Sequence, residues 1–257
     1  MWSMSEHKEK FTGRVQEYSK YRLRYSQHVM EVLRARCGLA PEDVIADVGA
    51  GTGMLAEIFL AAGNSVIAIE PNAEMLAACE ALKKRYPALR TVQAAAEATT
   101  LADASVDLVA VGRAFHWFDT AKALAEFRRI LRPGGWVVLA SVGRRKDGNT
   151  VIERAYEALL RSVPEFAETI RRFNVYDRAE ELFPGGRVLR EKIESVEWMT
   201  LEELVGQTQS FSFTPHPGEP GYDALQEALR EFFAAHAVEG RLAMPVASYL
   251  ICGQFAE

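Results

Sequence analysis

Ten residues, V-I-A-D-V-G-A-G-T-G from Val44 to Gly53, constrain the fold of this chain more than any other stretch. Val44, Ile45, Ala46 and Val48 make an apolar run of strand type that carries one acid, Asp47. The chain then drops into glycines at alternate positions, Gly49, Gly51 and Gly53. It continues as M-L-A-E-I-F-L-A-A-G, apolar at helical spacing and closed by Gly63 as a C-terminal cap. The unit reads strand, tight glycine turn, helix. Glycine admits positive φ and puts no Cβ between the loop and a ligand. The helix start behind the loop offers unpaired N–H groups to a polar or anionic ligand.

The same alternation runs on from there. A second strand, Ser65 to Glu70, ends on an acid followed by Pro71. Asn72 reads as the cap of a helix over Ala73 to Tyr86, with Met75, Leu76, Cys79 and Leu82 inward. A short strand, Leu89 to Gln93, leads into A-A-A-E-A-T-T-L-A-D-A-S-V-D. The fourth strand, Val106 to Gly112, opens into R-A-F-H-W-F-D. A helix from Thr120 to Leu131 is stopped by R-P-G-G, and the fifth strand is Trp136 to Val142. Strand–helix alternation with buried apolar strands specifies a doubly wound parallel sheet. Ligands in such sheets lie beyond the carboxyl ends of the strands. The glycine loop, Glu70, Ala95–Glu97 and Arg113–Trp117 all fall at that edge.

Upstream, F-T-G-R-V-Q-E-Y-S-K-Y-R-L-R-Y is rich in aromatics and arginine, and Ser26 to Arg36 reads as a helix. Downstream, the alternation stops. Residues 143–185 read as an inserted helical cap broken at Pro164 and at Pro184–Gly186. A strand over Arg187 to Trp198, a helix over Leu201 to Gln207, a strand end or loop in S-F-S-F-T-P-H-P-G-E-P-G, a helix over Tyr222 to Ala237 and a last strand over Arg241 to Gly253 follow. A reverse turn lays that last strand antiparallel beside the fifth. The whole is an α/β, Rossmann-like, seven-stranded and mostly parallel sheet with an antiparallel last strand and a helical cap. It is organised as one domain, 1–257, with its core at about 40–142 and 186–257, and helices 11–38 and insertion 143–185 as the cap.

With 257 residues, 49% of them hydrophobic, the chain is long enough for one large core. A net charge of −5 without long blocks of like charge argues against a nucleic-acid or anionic-membrane partner. No apolar run approaches a membrane span and the N-terminus has no signal-peptide core. Cys37, Cys79 and Cys252 stand in no metal-ligand spacing and read as reduced, buried thiols of a cytoplasmic protein. Nothing in the sequence distinguishes a monomer from a homodimer.

The glycine spacing narrows the cofactor. A dinucleotide fingerprint places its third small residue where Met54 stands, and Met54 is too large for that packing role. D-x-G-x-G-x-G after a buried strand resembles motif I of the class I S-adenosylmethionine-dependent methyltransferases. D-V-G-A-G-T-G, Glu70–Pro71, A-E-A-T-T-L-A-D-A-S-V-D, A-F-H-W-F-D and R-I-L-R-P-G-G occur in that family's order. The A-F-H-W-F-D form is similar to the small-molecule branch that includes trans-aconitate methyltransferase-like proteins (methyltransferase type 11). L-E-E-L-V-G-Q-T-Q-S-F-S-F and M-P-V-A-S-Y-L are similar to that branch's final strand region. The resemblance covers about residues 11 to 255 and is strongest from 44 to 142.

The resemblance implies S-adenosylmethionine as donor, S-adenosylhomocysteine as product and a small-molecule acceptor. It places Gly49, Ala50, Gly51 and Gly53 along the methionine moiety and Asp47 at the loop or at a water on the amino group. Glu70, followed by Pro71, holds the ribose hydroxyls, and the Ala96–Glu97 backbone reads the adenine edge. Ala95 departs from the acid common at its position, so the adenine amine either lacks its usual carboxylate or takes Glu97 in its place. Arg113 departs from the uncharged polar residue common in the branch, and a carboxylate-bearing acceptor would suit it. Arg22 pairs the donor's carboxylate, or is a solvated helix arginine. Tyr18, Phe115 and Trp117 offer aromatic faces to a sulfonium. His116 is the one site histidine able to act as a base, although its shared H-W context favours a role in shaping the pocket. Ser210, Ser212 and His216 are acceptor-contact or turn residues. In-line displacement from an activated donor requires no metal, and positioning supplies most of the acceleration, about 7–11 kcal/mol at best. A non-catalytic S-adenosylmethionine-binding protein and a nicotinamide-dependent oxidoreductase are the competing readings.

Overall fold

The computed structural model describes residues 20–145, 148, 150–167 and 178–256. Seven strands form one sheet in the order β3-β2-β1-β4-β5-β7-β6. They are β1 Val44–Val48, β2 Ser65–Ile69, β3 Leu89–Val92, β4 Val106–Gly112, β5 Leu131–Arg144, β6 Arg187–Met199 and β7 Leu242–Gln254. β1 pairs in parallel with β2 and β4, β2 with β3, and β4 with β5. β7 lies antiparallel between β5 and β6, as the reverse turn before it implied.

The central strands β1 and β4 read as nearly continuous apolar runs because both faces of the sheet are covered there, while the edge strand β6 is charged and largely exposed. On β1, Ile45 faces one apolar cluster, with Phe59, Cys79 and Leu33, while Ala46 and Val48 face a second, with Phe115, Phe127 and Ile130. The first face is covered by α1 (His28–Cys37), α2 (Met54–Ala61) and α3 (Ala73–Glu80), the second by α4 (Thr120–Ile130) and α6 (Ala179–Leu182). The expected stop and start signals operate. Gly63 sits just past α2 at φ +98°. The Asn72 side chain accepts from the Met75 N–H at 3.0 Å to cap α3.

Two boundaries differ from the sequence reading by more than two residues. The helix expected over Ala73 to Tyr86 is α-helical only to Glu80 and then tightens into a 3₁₀ turn, Ala81–Lys84, ahead of Tyr86–Pro87. A residue before proline is pushed out of the helical region, so the last turn is the part that yields. The fifth strand begins at Leu131 rather than Trp136, since Leu131 pairs with Val106 before the register shifts. Gly135 allows this close passage, for a Cβ there would meet the Asp107 carbonyl at 2.8 Å. The S-F-S-F-T-P-H-P stretch, left open between strand end and loop, is a run of turns.

β5 and β6 point the same way, so both end at the carboxyl edge, and β7 starts there. α5 (Val151–Arg161), α7 (Leu201–Gln209) and α8 (Tyr222–His236) hang from these ends. They enclose a third apolar cluster with Tyr156, Leu204, Leu229, Phe232, Met244 and Val246. α5 and α7 each start on a capping box, Thr150 with Glu153 and Thr200 with Glu203. Cys79 and Cys252 are buried and Cys37 half-buried, all three free. Among the described residues no helix is long and apolar enough to cross a membrane.

Candidate active site

The turn after β1 holds three glycines at positive φ: +69° at Gly49, +57° at Gly51 and +83° at Gly53. Each requires glycine for its own reason. A Cβ at Gly49 would lie 2.6 Å from the Ala114 Cβ and 3.0 Å from the Phe118 ring. A Cβ at Gly53 would lie 2.7 Å from Leu82 and 2.8 Å from the Cys79 sulfur. At Gly51 a Cβ would meet nothing within 4 Å. The outer glycines are closed in by protein, and the middle one faces open space.

Backbone bonds fix the turn against the end of β2. The N–H groups of Gly49 and Ala50 both donate to the Ile69 carbonyl, at 2.8 and 3.0 Å. The Gly51 N–H donates to Glu70 Oε2 at 2.9 Å, and Glu70 Oε1 accepts from the Asn72 N–H at 2.9 Å. Each Glu70 oxygen thus keeps acceptor capacity for a further donor. Asp47 is wholly buried below the turn. Its Oδ2 accepts from the Ala56 N–H at 2.9 Å, while Oδ1 has no hydrogen-bond partner. Burial pushes the Asp47 carboxyl up to about 7 against the pull of the Ala56 bond, and the Glu70 charge adds to the rise. Burial raises Glu70 as well, opposed by its two backbone donors.

A cleft of about 270 Å³, open to solvent, lies on this turn. Tyr25, Asp47, Gly49, Ala50, Gly51, Thr52, Met54, Leu55, Gly112 and Arg113 line it. It sits where strand order switches between β1 and β4, the crevice that doubly wound sheets use for ligands. Arg113 enters from the end of β4 at φ +57°, a strained conformation for a long side chain. Its Nη1 donates to the Leu23 carbonyl at 2.9 Å, its Nη2 lies 3.3 Å from the Met54 sulfur, and its guanidinium lies over the Tyr25 ring at 5.0 Å.

The other expected site residues take these places. Gly49, Ala50, Gly51, Asp47 and Arg113 line the cleft, Gly53 packs behind it, and Glu70 reaches it through Gly51. The Pro71 carbonyl accepts from Gln93 Nε2 at 3.3 Å. Ala96 is buried in the second cluster, and Glu97 Oε1 accepts from the Asp119 N–H at 2.8 Å, which ties that loop to the Arg113–Asp119 stretch. Phe115 is fully buried in the same cluster, edge-on to Phe118 at 5.9 Å, so Phe118 and not Phe115 touches the glycine turn. His116 and Trp117 are half-buried neighbours with ring centroids 4.8 Å apart. Arg22 is not among the cleft residues. Its Nη1 donates to the Ser210 carbonyl at 3.1 Å and its guanidinium lies 5.0 Å over Phe211. Tyr18 lies outside the described residues.

Tyr25, Thr52, Leu55, Gly112 and Phe118 escaped the sequence reading, and Met54 entered it only as a misfit to another fingerprint. Gly112 carried a signal, being a glycine at a strand end. A Cβ there would meet the Tyr25 hydroxyl at 2.7 Å. Tyr25 is set by the chain's path across the sheet, which no local pattern records.

The residues fit the donor that the resemblance implied. Thr52 Oγ1, like Asp47 Oδ1, is buried without a hydrogen-bond partner. Two unmet acceptors beside an open αL glycine suit an ammonium group, and Glu70 suits vicinal hydroxyls. A turn of this build on a doubly wound sheet defines a nucleotide-cofactor enzyme of Rossmann type.

The comparisons with known proteins then specify which. A methyltransferase domain family matches residues 46–139. An uncharacterized methyltransferase of Mycobacterium tuberculosis is 33% identical over 207 residues, 78% of this chain and 79% of that protein. An uncharacterized methyltransferase of Schizosaccharomyces pombe is 32% identical over 68% of this chain and 66% of its own length. A solved structure from Anaeromyxobacter dehalogenans, provisionally named a type II methyltransferase, superposes with a TM-score of 0.67 at 25% identity, over 91% of this chain and 98% of that one. The chain belongs to the class I S-adenosylmethionine-dependent methyltransferases. The same fold, at 15% identity and a TM-score of 0.53 over 98% of this chain and 58% of that one, carries a phosphoethanolamine N-methyltransferase of Haemonchus contortus solved with S-adenosylhomocysteine.

Proposed function

We propose that this enzyme moves a methyl group from S-adenosylmethionine to a small, carboxylate-bearing acceptor. When bound, the sulfonium supplies a methyl carbon already activated for in-line displacement. The observation that carries the reading is the pairing of Asp47 Oδ1, buried and unpartnered, with the open side of Gly51. Asp47 and Thr52 would hold the donor's ammonium, Glu70 the ribose hydroxyls and the Ala96–Glu97 backbone the adenine edge. Pro71 sets the strand end behind Glu70. Phe118 and Ala114 keep the turn closed from below, and Phe115 supports them from the core. Trp117 would border the cleft mouth, and His116 would shape it rather than move a proton.

The two arginines divide the anionic groups differently from the sequence expectation. Arg113 lines the cleft and suits the donor's carboxylate. Burial raises the Tyr156 hydroxyl to about 12 against the pull of nearby Arg144 and Arg22, and Arg144 also pairs with Glu157 at 3.4 Å. Support for an acidic acceptor comes from Arg22, which lies beside the Ser210 turn, and from the resemblance to the trans-aconitate-like branch. The test is incubation with S-adenosylmethionine and a panel of carboxylic acids, phenols and amines, read by mass spectrometry. Mass gain on acids alone supports the reading. Gain on amines alone, or on neutral phenols alone, contradicts it. Arg113→Ala separates the arginines: weaker S-adenosylhomocysteine binding with an unchanged acceptor KM places Arg113 on the donor, and the reverse returns it to the acceptor.

A further inference from the structure

The end of α7 carries Gly206, Gln207, Thr208, Gln209 and Ser210, an unusual run of polar side chains for a buried turn. Gln207, Thr208 and Ser210 are buried. The two hydroxyls are satisfied within the protein. Thr208 Oγ1 lies 2.7 Å from the Tyr156 hydroxyl and 2.8 Å from the Leu204 carbonyl, and Ser210 Oγ donates to the Gln207 carbonyl at 2.6 Å. The amides are not satisfied. Gln207 Oε1 and Gln209 Nε2 are buried with no hydrogen-bond partner, and so is Gln226 Nε2 on α8, the helix packed against α7. A buried amide left unpaired costs stability, and a native protein keeps one where something else completes it.

These groups lie one layer from the donor cleft. A Cβ at Gly206 would meet the Tyr21 ring at 2.3 Å, so the segment from Tyr21 to Tyr25 rests directly on α7. Within it, Leu23 puts its side chain into the cluster with Tyr156 and Leu204, while its carbonyl takes the Arg113 bond. Tyr25 goes on to line the cleft. Aromatic rings and two arginines gather beside this turn, Phe166 meeting Phe213 at 5.5 Å and Arg144 pairing with Glu157 at 3.4 Å. Phe211 and Phe213 stack at 5.2 Å, Arg22 lies over Phe211, and Arg144 lies over Phe166 at 5.3 Å.

The geometry points to the α7 turn as the element that selects the acceptor, with Gln207 and Gln209 as its specificity residues. The unmet oxygen requires a donor and the unmet nitrogens require acceptors, and a hydroxyl provides both. Resting on the methyltransferase reading above, this assigns the acceptor class as a hydroxy carboxylic acid with an apolar body. The arginines meet the carboxylate and the amides meet the second oxygen.

The test uses Gln207→Met and Gln209→Met, which keep length and remove the unpaired dipole. Thermal unfolding without ligand is the first readout. Midpoints equal to or above wild type are expected, because an uncompensated buried amide is removed. Lower midpoints show that the amides are internally satisfied and overturn the inference. The second readout is binding, in saturating S-adenosylhomocysteine, of paired acids: 4-hydroxybenzoate with benzoate, 3-hydroxybutyrate with butyrate, malate with succinate. Wild type is expected to prefer the hydroxy member of at least one pair by about tenfold or more, since a site built for a hydroxyl rejects its absence. The Gln207→Met protein is expected to lose that preference. No preference in wild type, or one that survives both substitutions, overturns it. Failure of S-adenosylhomocysteine to bind wild type would instead strike the methyltransferase reading itself.

Discussion

The Gly51 N–H donates to Glu70 Oε2 at 2.9 Å, which joins the glycine turn after β1 to the acid that closes β2. One carboxylate therefore sets the loop and, in the proposed donor pose, would take the ribose hydroxyls as well. Glu70→Gln keeps the side-chain shape and removes the charge. It is expected to weaken S-adenosylhomocysteine binding by about 10–100-fold, the range for a charged hydrogen bond, and to leave the fold intact. Calorimetric titration checks this, and an unchanged affinity contradicts it.

The three glycines are expected to separate stability from binding. Gly51→Ala meets no steric contact, so it costs only the left-handed backbone strain, about 1–2 kcal/mol. In a chain of this size that lowers Tm by about 2–8 °C, while donor binding falls sharply because the new methyl fills the open side. Gly53→Ala adds a collision with Leu82 and Cys79 and is expected to lower Tm further. Equal effects of the two on Tm would contradict the assignment of the middle glycine to the ligand.

Asp47 makes the ligand-free protein pH-dependent in an unusual direction. Its carboxyl is raised from 3.8 to about 7, so across that window the folded protein holds the proton more strongly than the unfolded chain. Stability therefore falls as pH rises from about 4 to about 7 and then levels. Asp47→Asn is expected to flatten this part of the Tm–pH curve. In wild type, S-adenosylhomocysteine affinity is expected to rise across pH 6–8 as Asp47 ionises. A slope that survives in the variant would show that another group carries it.

Glu153 is expected to act at the opposite end of the scale. Its carboxylate is buried, receives Arg145 through Nε at 2.6 Å and Nη2 at 2.7 Å, and caps α5 through Thr150. The Arg145 bonds hold the Glu153 carboxyl down at about 2. The stability it provides is present above about 4.5 and is lost as pH falls towards 2. Glu153→Ala is expected to cost about 2–3 kcal/mol, below the usual 3–5 for a broken buried pair because Arg145 keeps some contact with water. Acid titration followed by circular dichroism checks the direction, and a variant as acid-sensitive as wild type would contradict it.

Much of the donor half was legible in the sequence because its constraints are local. Glycines at alternate positions, an acid two residues before them and an acid closing the next strand are fixed by backbone geometry within one βαβ unit. The Glu70–Gly51 bond and the caps at Asn72 and Gly63 follow from the same short-range rules. Phe115 and Phe118 were harder, since they stand three positions apart and only the 3₁₀ turn at Phe115–Trp117 decides which ring meets Gly49. Arg22 and Arg113 were harder still. Each is positioned by a partner far along the chain, Ser210 for one and Leu23 for the other, and no spacing encodes such contacts. The helices beyond β5 were less legible because they pack mainly on one another and on the strand ends rather than on the faces of the sheet.

Calorimetric titration with S-adenosylhomocysteine, with NADH as the control, tests the central claim most directly. The Asp47–Gly51–Glu70 arrangement predicts a single site for S-adenosylhomocysteine, no heat with NADH, and loss of the site in Gly51→Ala. Binding of NADH, or of neither compound by folded protein, would contradict the account of the turn from Val44 to Gly53.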